Sequence, residues 1–490
     1  MYFFCFPPFS NGHLIWFAFC PLIYASMRST PRLALINGLI AGFVAQLITI
    51  GWIGHVTIAG TLVLCAYLSL YWGVFSLWLC FFNRNHDSLF TGPNIRLALS
   101  GAAVWVTGEW IQSKLIGGFP WNLIGSALHE ELSFIQVADL FGVYGVSFLV
   151  MVMNITFVLT FQRFNREIGS RKIRPHFDFT FAVLLFCLSF SYGIRRLLNR
   201  EPVEHTIRIA TIQPNISQNL KWSEESAQDI FKIYSGLTEA AMYTKPDLIV
   251  WPETATPYAY LDIRTTDVLN NLRKHEVPML VGTFDVEDDV WYNAAAFLPS
   301  SNAPAEFYRK IKLVPFGEYV PLGKYFPYLR SLIPFTTEMV PGIAQPVFTL
   351  NDSKVTFATL ICFEDAFATL SRRAALGKAR FLINLTNDAW YEKSSGARQH
   401  AANAVFRCVE TRRPMVRCTN TGFTCWIDER GAVRETFQPF IRGFPVPFKV
   451  ELRRIISETF YTRHGDVFVL FCVILFIFDS GIRYGTRNKL

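Results

Sequence analysis

Long apolar runs return repeatedly through the first 200 residues of this 490-residue chain, and they limit what it can fold into. A helix crossing a bilayer needs about 20 mostly apolar residues, because every backbone N–H and C=O must be paired inside the hydrocarbon. Candidate spans are residues 14–27, 33–53, 59–82, 97–111, 140–161 and 179–194, with a last one at 467–482. The first and fourth are short. A loop at 113–136 carries GGFPWN (residues 117–122). Residues 205–460 read differently. Short β-rich runs at 206–213, 247–251, 279–284, 355–362 and 381–385 alternate there with polar helical stretches, the pattern of a mixed α/β sheet. No internal repeat is visible in this part. The expected organisation is a transmembrane unit over 1–200, a soluble domain over 205–460, a C-terminal span over 466–483 and a tail over 484–490.

Charge placement suggests an orientation. Only 17% of residues are charged and 51% are hydrophobic, against about 25% charged in soluble domains, which excludes a mainly disordered chain. Arg28 and Arg32 follow the first span, Arg84 and Arg96 the third, and Arg163, Arg166, Arg171, Lys172 and Arg174 the fifth. Arg483, Arg487 and Lys489 follow the last. With seven spans these groups share one side, and the positive-inside rule makes it the cytoplasm. The 205–460 domain then lies outside, on the periplasmic side of a bacterial inner membrane. Arg195, Arg196 and Arg200, after the sixth span, run against this count. A secretory signal does not fit the N-terminus, because no basic segment precedes its apolar run and further runs follow. The ten cysteines form no CxxC and no zinc-spaced Cys/His cluster, so no metal is expected. Cys408, Cys418 and Cys425 are expected as buried thiols, although an oxidising compartment would permit a disulfide.

Three stretches carry chemistry: VWPETATP (residues 250–257), YRKIKLVPFGEYVP (308–321) and LICFEDAF (360–367). Each sets an ionisable or nucleophilic residue at or just after the end of a β-rich run, where α/β sheets commonly build sites. Glu253, Lys310 and Cys362 can therefore converge. A free thiol is mostly protonated at neutral pH, with a pKa of about 8.5. A nearby glutamate can take its proton, and a lysine ammonium stabilises the thiolate and then an oxyanion. Taken singly, each residue has a plainer reading. Cys362 suits a core strand end, Glu253 a turn or helix cap, and Lys310 a solvated charge beside Arg309 and Lys312.

Taken together, these stretches resemble the Glu–Lys–Cys motifs of the nitrilase superfamily. With PFGEYVP, and with spans on both sides, the chain is similar to the superfamily's membrane-embedded branch, the apolipoprotein N-acyltransferase family. The resemblance covers nearly the whole chain and includes GFPWN, IQPNISQNLKW (212–222), LTNDAWY (385–391), QHAANAVFRCVETRRPMVRCTNTG (399–422) and HGD (464–466). It implies a multi-span α-helical membrane bundle joined to a nitrilase-like α-β-β-α sandwich domain. It implies Glu253 as general base, Lys310 as oxyanion holder and Cys362 as acylated nucleophile, with the Phe363 N–H as a second oxyanion donor. Glu318 and Glu364 match supporting carboxylates. Trp222 and Trp390 match aromatic positions near a lipid-binding mouth, plain packing being the alternative, and Asn387 and Asp388 shape the substrate site. The implied reaction is ping-pong. An acyl chain passes from a membrane phospholipid, the sn-1 chain of phosphatidylethanolamine, to Cys362. It then passes to the α-amine of the diacylglyceryl-cysteine that begins an apolipoprotein, the last step of lipoprotein maturation. No cofactor and no nucleic acid are implied, and a monomer is expected.

The sequence departs from the family pattern in places. Phe363 stands where tyrosine is common, Lys312 where histidine is, and Arg398 where proline is. The family usually has eight spans, and FPPFS (6–10) resembles the segment after the first, so one span is expected to be missing. Loops 324–342 and 391–398 are candidate lids from their Pro, Gly and Ser content. Competing readings are a membrane-anchored amidase acting on a small amide, an inactive relative, and a transporter or receptor in which Cys362 is core. For the last, Glu109 and Asp479 would be the intramembrane ionisable groups to examine.

Overall fold

The computed structural model describes residues 1–83, 90–170, 174–221, 223–299, 303–321, 323, 325, 338–350, 355–454 and 458–487. Two compact units separate: residues 1–200 with 464–490, and residues 201–463.

The first unit is helical: α1 (Cys20–Arg28), α2 (Pro31–Ile50), α3 (Ile58–Asn83), α4 (Thr91–Gln112), α5 (Leu132–Ile135), α6 (Ala138–Ser170), α7 (Phe177–Leu198) and a terminal helix, Val467–Arg487. Among the described residues, four stretches are long and apolar enough to cross a membrane: Pro31–His55, Ile58–Phe82, Ala138–Gly169 and Phe177–Leu198. Val467–Gly481 is a shorter apolar helix. The stretch expected as a span at 14–27 is instead a 3-10 turn, Gly12–Trp16, followed by the nine-residue α1. At 1.5 Å per residue α1 is about 14 Å long, too short to cross. The expected span at 97–111 lies within the longer α4, which carries buried Asn94, Ser100, Thr107 and Glu109. Packed among α3, α6, α7 and the terminal helix, α4 presents these groups to protein rather than to lipid.

Helix α2 shows why small residues recur. Ala34, Gly38 and Gly42 are buried along one face. A Cβ on Gly38 would sit 2.5 Å from the Trp72 carbonyl oxygen, and one on Gly42 2.7 Å from Trp72 Cγ. Such close approach replaces the hydrophobic drive that lipid cannot supply. The opposite face exposes Leu33, Ile36, Ile40, Val44 and Leu47, a stripe suited to lipid. In α6 the chain breaks at Gly142, whose φ of +66° only glycine adopts readily. The GFPWN loop is folded into the bundle. Glu109 accepts hydrogen bonds from the Ile124 N–H at 2.7 Å and the Trp105 indole at 3.0 Å, and the Tyr2 hydroxyl donates to the Asn122 carbonyl at 3.0 Å. Arg196, which ran against the charge count, pairs with Asp139 at 3.0 Å, so part of its charge is neutralised between α6 and α7.

The second unit contains two six-stranded sheets with flanking helices, an α-β-β-α sandwich. Its strands are β1 (Val203–Thr211), β2 (Leu248–Val250), β3 (Met279–Glu287), β4 (Val290–Leu298), β5 (Glu306–Arg309), β6 (Phe348–Leu350), β7 (Val355–Ile361), β8 (Phe381–Thr386), β9 (Met415–Thr419), β10 (Thr424–Ile427), β11 (Val433–Phe437) and β12 (Phe448–Arg453). The orders are β12-β1-β2-β3-β4-β5 and β6-β7-β8-β9-β10-β11. Read in that direction, both sheets run antiparallel, parallel, parallel, antiparallel, antiparallel. The repeat that the sequence does not show is therefore present in topology, with the late strand β12 completing the first sheet. Helices α8 (Gln218–Lys221), α9 (Ala227–Met242) and α10 (Ile263–Arg273) precede and follow β2, and α11 (Ala368–Leu376) and α12 (Gly396–Thr411) follow β7 and β8. Ile230 and Tyr234 of α9 and Leu269 of α10 share a core with Ile249, Trp251 and Val281 on one face of the first sheet. On the other face Phe297 meets Phe348 and Phe357 of the second sheet, at ring separations of 5.4 and 5.2 Å. Buried on both faces, the central strands read as unbroken apolar runs.

Candidate active site

Strand ends bring three distant residues into one buried place. Trp251 and Pro252 carry the chain out of β2 to Glu253, β5 ends at Arg309 just before Lys310, and β7 ends at Ile361 just before Cys362. Lys310 Nζ lies 3.0 Å from Glu253 Oε1 and 2.8 Å from Glu318 Oε1, and is only 1% exposed. Asn293 of β4 ties the two carboxylates together. Its Nδ2 donates to Glu253 Oε1 at 2.8 Å and to Glu318 Oε1 at 2.7 Å. The other Glu253 oxygen accepts from the Asn387 N–H at 2.9 Å. Burial would raise the Glu253 pKa, but the Lys310 charge and hydrogen bonds outweigh it and hold the carboxyl below its usual range. Burial would lower Lys310, but Glu253 and Glu318 reverse that and hold it well above its usual value. The pair is thus a carboxylate and an ammonium.

Cys362 is buried, and its φ is +52°, a left-handed conformation costly for a side chain with a Cβ. Burial and the Glu253 charge push the thiol up, against the pull of Lys310. The resting group is a thiol, and any nucleophilic role would first require a neighbouring base to take its proton. Glu364 fixes the backbone around it. One Glu364 oxygen accepts from the Ile311 N–H at 2.7 Å and the Lys312 N–H at 2.9 Å. The other accepts from the Tyr308 hydroxyl at 2.7 Å and the Ile361 N–H at 2.8 Å. Burial raises its pKa, yet four donors aimed at two oxygens are the surroundings of a carboxylate. Glu364 thus links the segment after β5 to the end of β7, across the two sheets. Glu318 is locked by the Val314 N–H onto its second oxygen at 2.8 Å.

The remaining expected residues fall as follows. Phe363 is buried with its ring edge-on to Phe367 at 4.9 Å. Asn387 is buried, and its side chain donates to Gln218 at 2.9 Å. Trp390 is half-buried, in the turn Asp388–Tyr391 beyond β8. Trp222 lies outside the described residues, as does most of the candidate lid 324–342. The Lys312 ammonium sits 5.2 Å from the centre of the Phe367 ring, so the departure from histidine brings a cation onto an aromatic face. Arg398 is exposed on α12. Cys408, Cys418 and Cys425 are buried free thiols.

Two polar groups beside Glu253 escaped the sequence reading. Asn293 lies in β4 among apolar neighbours, and nothing local marks it. Lys221 lay in view in IQPNISQNLKW but looks like a surface lysine. Its Nζ is buried and donates to the Glu253 carbonyl oxygen at 2.9 Å. Burial lowers it to about 8, with Glu253 and Cys362 opposing the shift.

A carbon–nitrogen hydrolase site on a chain with membrane-length helices is the class this fold and geometry define. The family described as "Carbon-nitrogen hydrolase" matches residues 208–440, and "Apolipoprotein N-acyltransferase N-terminal domain" matches residues 1–156. The chain is 35% identical to an apolipoprotein N-acyltransferase of Geobacter metallireducens, over 96% of this chain and 90% of that one. It is 30% identical to an apolipoprotein N-acyltransferase of Nitrosomonas europaea, over 88% of this chain and 82% of that one. Among solved structures it is similar to an amidase from Nesterenkonia sp., with 15% identity, a TM-score of 0.39, and coverage of 55% of this chain and 97% of that one. The chain belongs to the apolipoprotein N-acyltransferase family, membrane-embedded acyltransferases of the nitrilase superfamily.

Proposed function

We propose that this protein acylates apolipoproteins in two half-reactions through a thioester on Cys362. In the first, Glu253 takes the Cys362 proton and the sulfur attacks the sn-1 ester carbonyl of a membrane phospholipid, phosphatidylethanolamine. Lys310 and the Phe363 N–H hold the oxyanion. The C–O bond to glycerol breaks, Glu253 returns its proton to that oxygen, and a lysophospholipid leaves. In the second, the neutral α-amine of a diacylglyceryl-cysteine attacks the thioester. A C–N bond forms, the C–S bond breaks, and the amine proton passes through Glu253 to the sulfur. The product is a triacylated lipoprotein, the last step of its maturation. Glu318 orients Lys310, and Trp222 and Trp390 contribute to binding the acyl chain. The enzyme acts as a monomer in the bacterial inner membrane with its catalytic domain on the periplasmic side, a reading supported by the basic loops between its apolar runs.

The observation that carries this reading is the buried Lys310 ammonium held between Glu253 and Glu318, with both the Glu253 and Lys310 charges acting on the Cys362 thiol. Intact mass spectrometry after incubation with phosphatidylethanolamine tests it. Wild type should gain one acyl group, removable by hydroxylamine and discharged by a diacylated lipopeptide, and Cys362→Ala should gain none. Folded wild type that gains no adduct, but hydrolyses a small amide, refutes the proposal in favour of the amidase reading.

A further inference from the structure

Behind Cys362 lies a buried charge cluster that the two half-reactions do not use. His400, on α12, places Nδ1 3.0 Å from Asp388 Oδ1 and Nε2 2.9 Å from Asp365 Oδ1. Nδ1 is hydrogen-bonded to Asp388 Oδ1 and Nε2 to the Cys362 carbonyl oxygen at 3.1 Å, with Asp365 Oδ1 beside Nε2 as an ion-pair contact, and two acceptors require two N–H donors. The ring is therefore an imidazolium. Arg417, on β9, pairs with Asp365 and lies 3.9 Å from Asp388. The cluster balances two carboxylates against an imidazolium and a guanidinium, and all four side chains are fully enclosed. Such a set is stable in the interior only while it stays complete. The Tyr391 ring packs edge-on to His400, 6.1 Å between centres.

The cluster reaches the nucleophile through one atom. The Cys362 carbonyl oxygen accepts from His400 Nε2 at 3.1 Å and from Asn384 Nδ2 at 2.9 Å. On the other side of the same residue, Glu364 holds the Ile361 N–H. Cys362 occupies a backbone conformation it would otherwise leave, so something must hold it there. The geometry points to His400 as a positioning residue, whose imidazolium, with Asn384, clamps the Cys362 carbonyl and keeps the thiol aimed at the acyl donor. This rests on Cys362 being the acylated nucleophile and adds a residue, from a motif with no assigned role, that acts on it only through the backbone. Protonation matters because a neutral ring can donate from one nitrogen only, leaving either the Cys362 carbonyl or Asp388 Oδ1 facing a ring lone pair. Asp365 and Asp388 outweigh burial and raise His400 to about 9, so the clamp is intact at neutral pH and is lost as pH rises through that value.

The test follows two rates on the full-length, detergent-solubilised protein from pH 7 to 10. One is acylation by phosphatidylethanolamine, and the other is alkylation of Cys362 by iodoacetamide, read on its peptide. In His400→Gln both rates at pH 7.5 should fall about 10- to 100-fold, the loss of one charged hydrogen bond, while KM for phospholipid holds. The wild-type acylation limb near pH 9 should disappear. Asp388→Asn preserves shape and should move that limb to lower pH, and it serves if His400→Gln does not fold. A His400→Gln protein with wild-type rates, or a limb unmoved in Asp388→Asn, overturns the proposal. If lipid never acylates wild type while alkylation still responds to His400, the donor assignment fails and the positioning role stands.

Discussion

Replacing Glu364 by glutamine should loosen the join between Lys310 and Cys362, and the size of the effect follows from its four partners. Two backbone N–H groups donate to one oxygen, and the Tyr308 hydroxyl and the Ile361 N–H to the other. An amide supplies one oxygen and one NH2, so one pair of donors must face a donor. The less costly arrangement turns the NH2 toward Tyr308, whose hydroxyl reverses to accept, and leaves the Ile361 N–H orphaned. A buried orphan costs about 1–3 kcal/mol, and the surviving bonds lose their charge assistance, for a total of about 3–6 kcal/mol. Thermal unfolding of the purified protein should fall by about 6 to 24 °C. Acylation of Cys362 should slow at least about tenfold even at temperatures where the variant is folded, because the orphaned N–H belongs to the residue before the nucleophile. Tyr308→Phe removes one donor and creates no donor clash, so it should cost about 1–2 kcal/mol and spare most activity. A Glu364→Gln protein that melts within about 2 °C of wild type and acylates normally would refute the carboxylate assignment.

Other expectations are shorter. A Cβ on Gly282 would press into the Pro252 carbonyl and lie 2.8 Å from Glu253 Cα, so Gly282→Ala should displace the base and cut kcat for acylation at least about tenfold with a smaller change in KM. Burial sets Lys221 at about 8, below its unfolded value, so the folded state binds fewer protons between there and about 10.4. Stability of wild type relative to Lys221→Met should rise across that window in pH-dependent unfolding, and a flat difference would contradict the burial of the ammonium. Gly38→Val would force the α2–α3 contact apart at Trp72, and detergent-solubilised protein should lose thermal stability while Ile40→Val, on the exposed stripe, leaves it unchanged.

The parts legible in the sequence were those coded by neighbours along the chain. Each residue of the proposed triad comes just after a strand, and Glu318 and Glu364 lie eight and two residues beyond Lys310 and Cys362. What stayed hidden depends on pairing at long range. Asn293 reaches Glu253 across 40 residues and His400 reaches the Cys362 carbonyl across 38, and in neither case does local pattern mark the meeting. The left-handed turn at Cys362 breaks the usual preference for glycine, so a rule that seeks such turns at glycines passes over it. Hydropathy overstated one short candidate span, 14–27, and clipped the other, 97–111, which lies inside a 22-residue helix. Residues 14–27 are apolar because they pack within the bundle, and α4 is polar in places because other helices cover it. A hydropathy window measures the neighbour a helix would have in lipid and cannot tell when that neighbour is protein.

The charges around the thiol give a reason for Glu253 as the proposed base. On one side stand Glu253, Glu318, Lys310 and Lys221, which sum to zero at neutral pH, and on the other Asp365, Asp388, Arg417 and His400, which also sum to zero. Cys362 lies between these two clusters in a dry place, with the Glu364 carboxylate, held by its four donors, adding one negative charge two residues on. A thiolate formed by losing its proton to bulk water would leave one uncompensated charge there, which is costly at low dielectric. Moving the proton to Glu253 instead turns a carboxylate neutral as the sulfur turns negative, and the sum does not change. The thiolate then meets Lys310 released from part of its bond to Glu253, so the ammonium is freed for the oxyanion at the step that creates one. Lys221 is needed for the same sum. Without it the first cluster carries a net negative charge beside the sulfur, which raises the barrier to making a second. Lys221→Met should therefore slow acylation more at pH 7 than at pH 9, where the wild-type lysine is itself largely neutral.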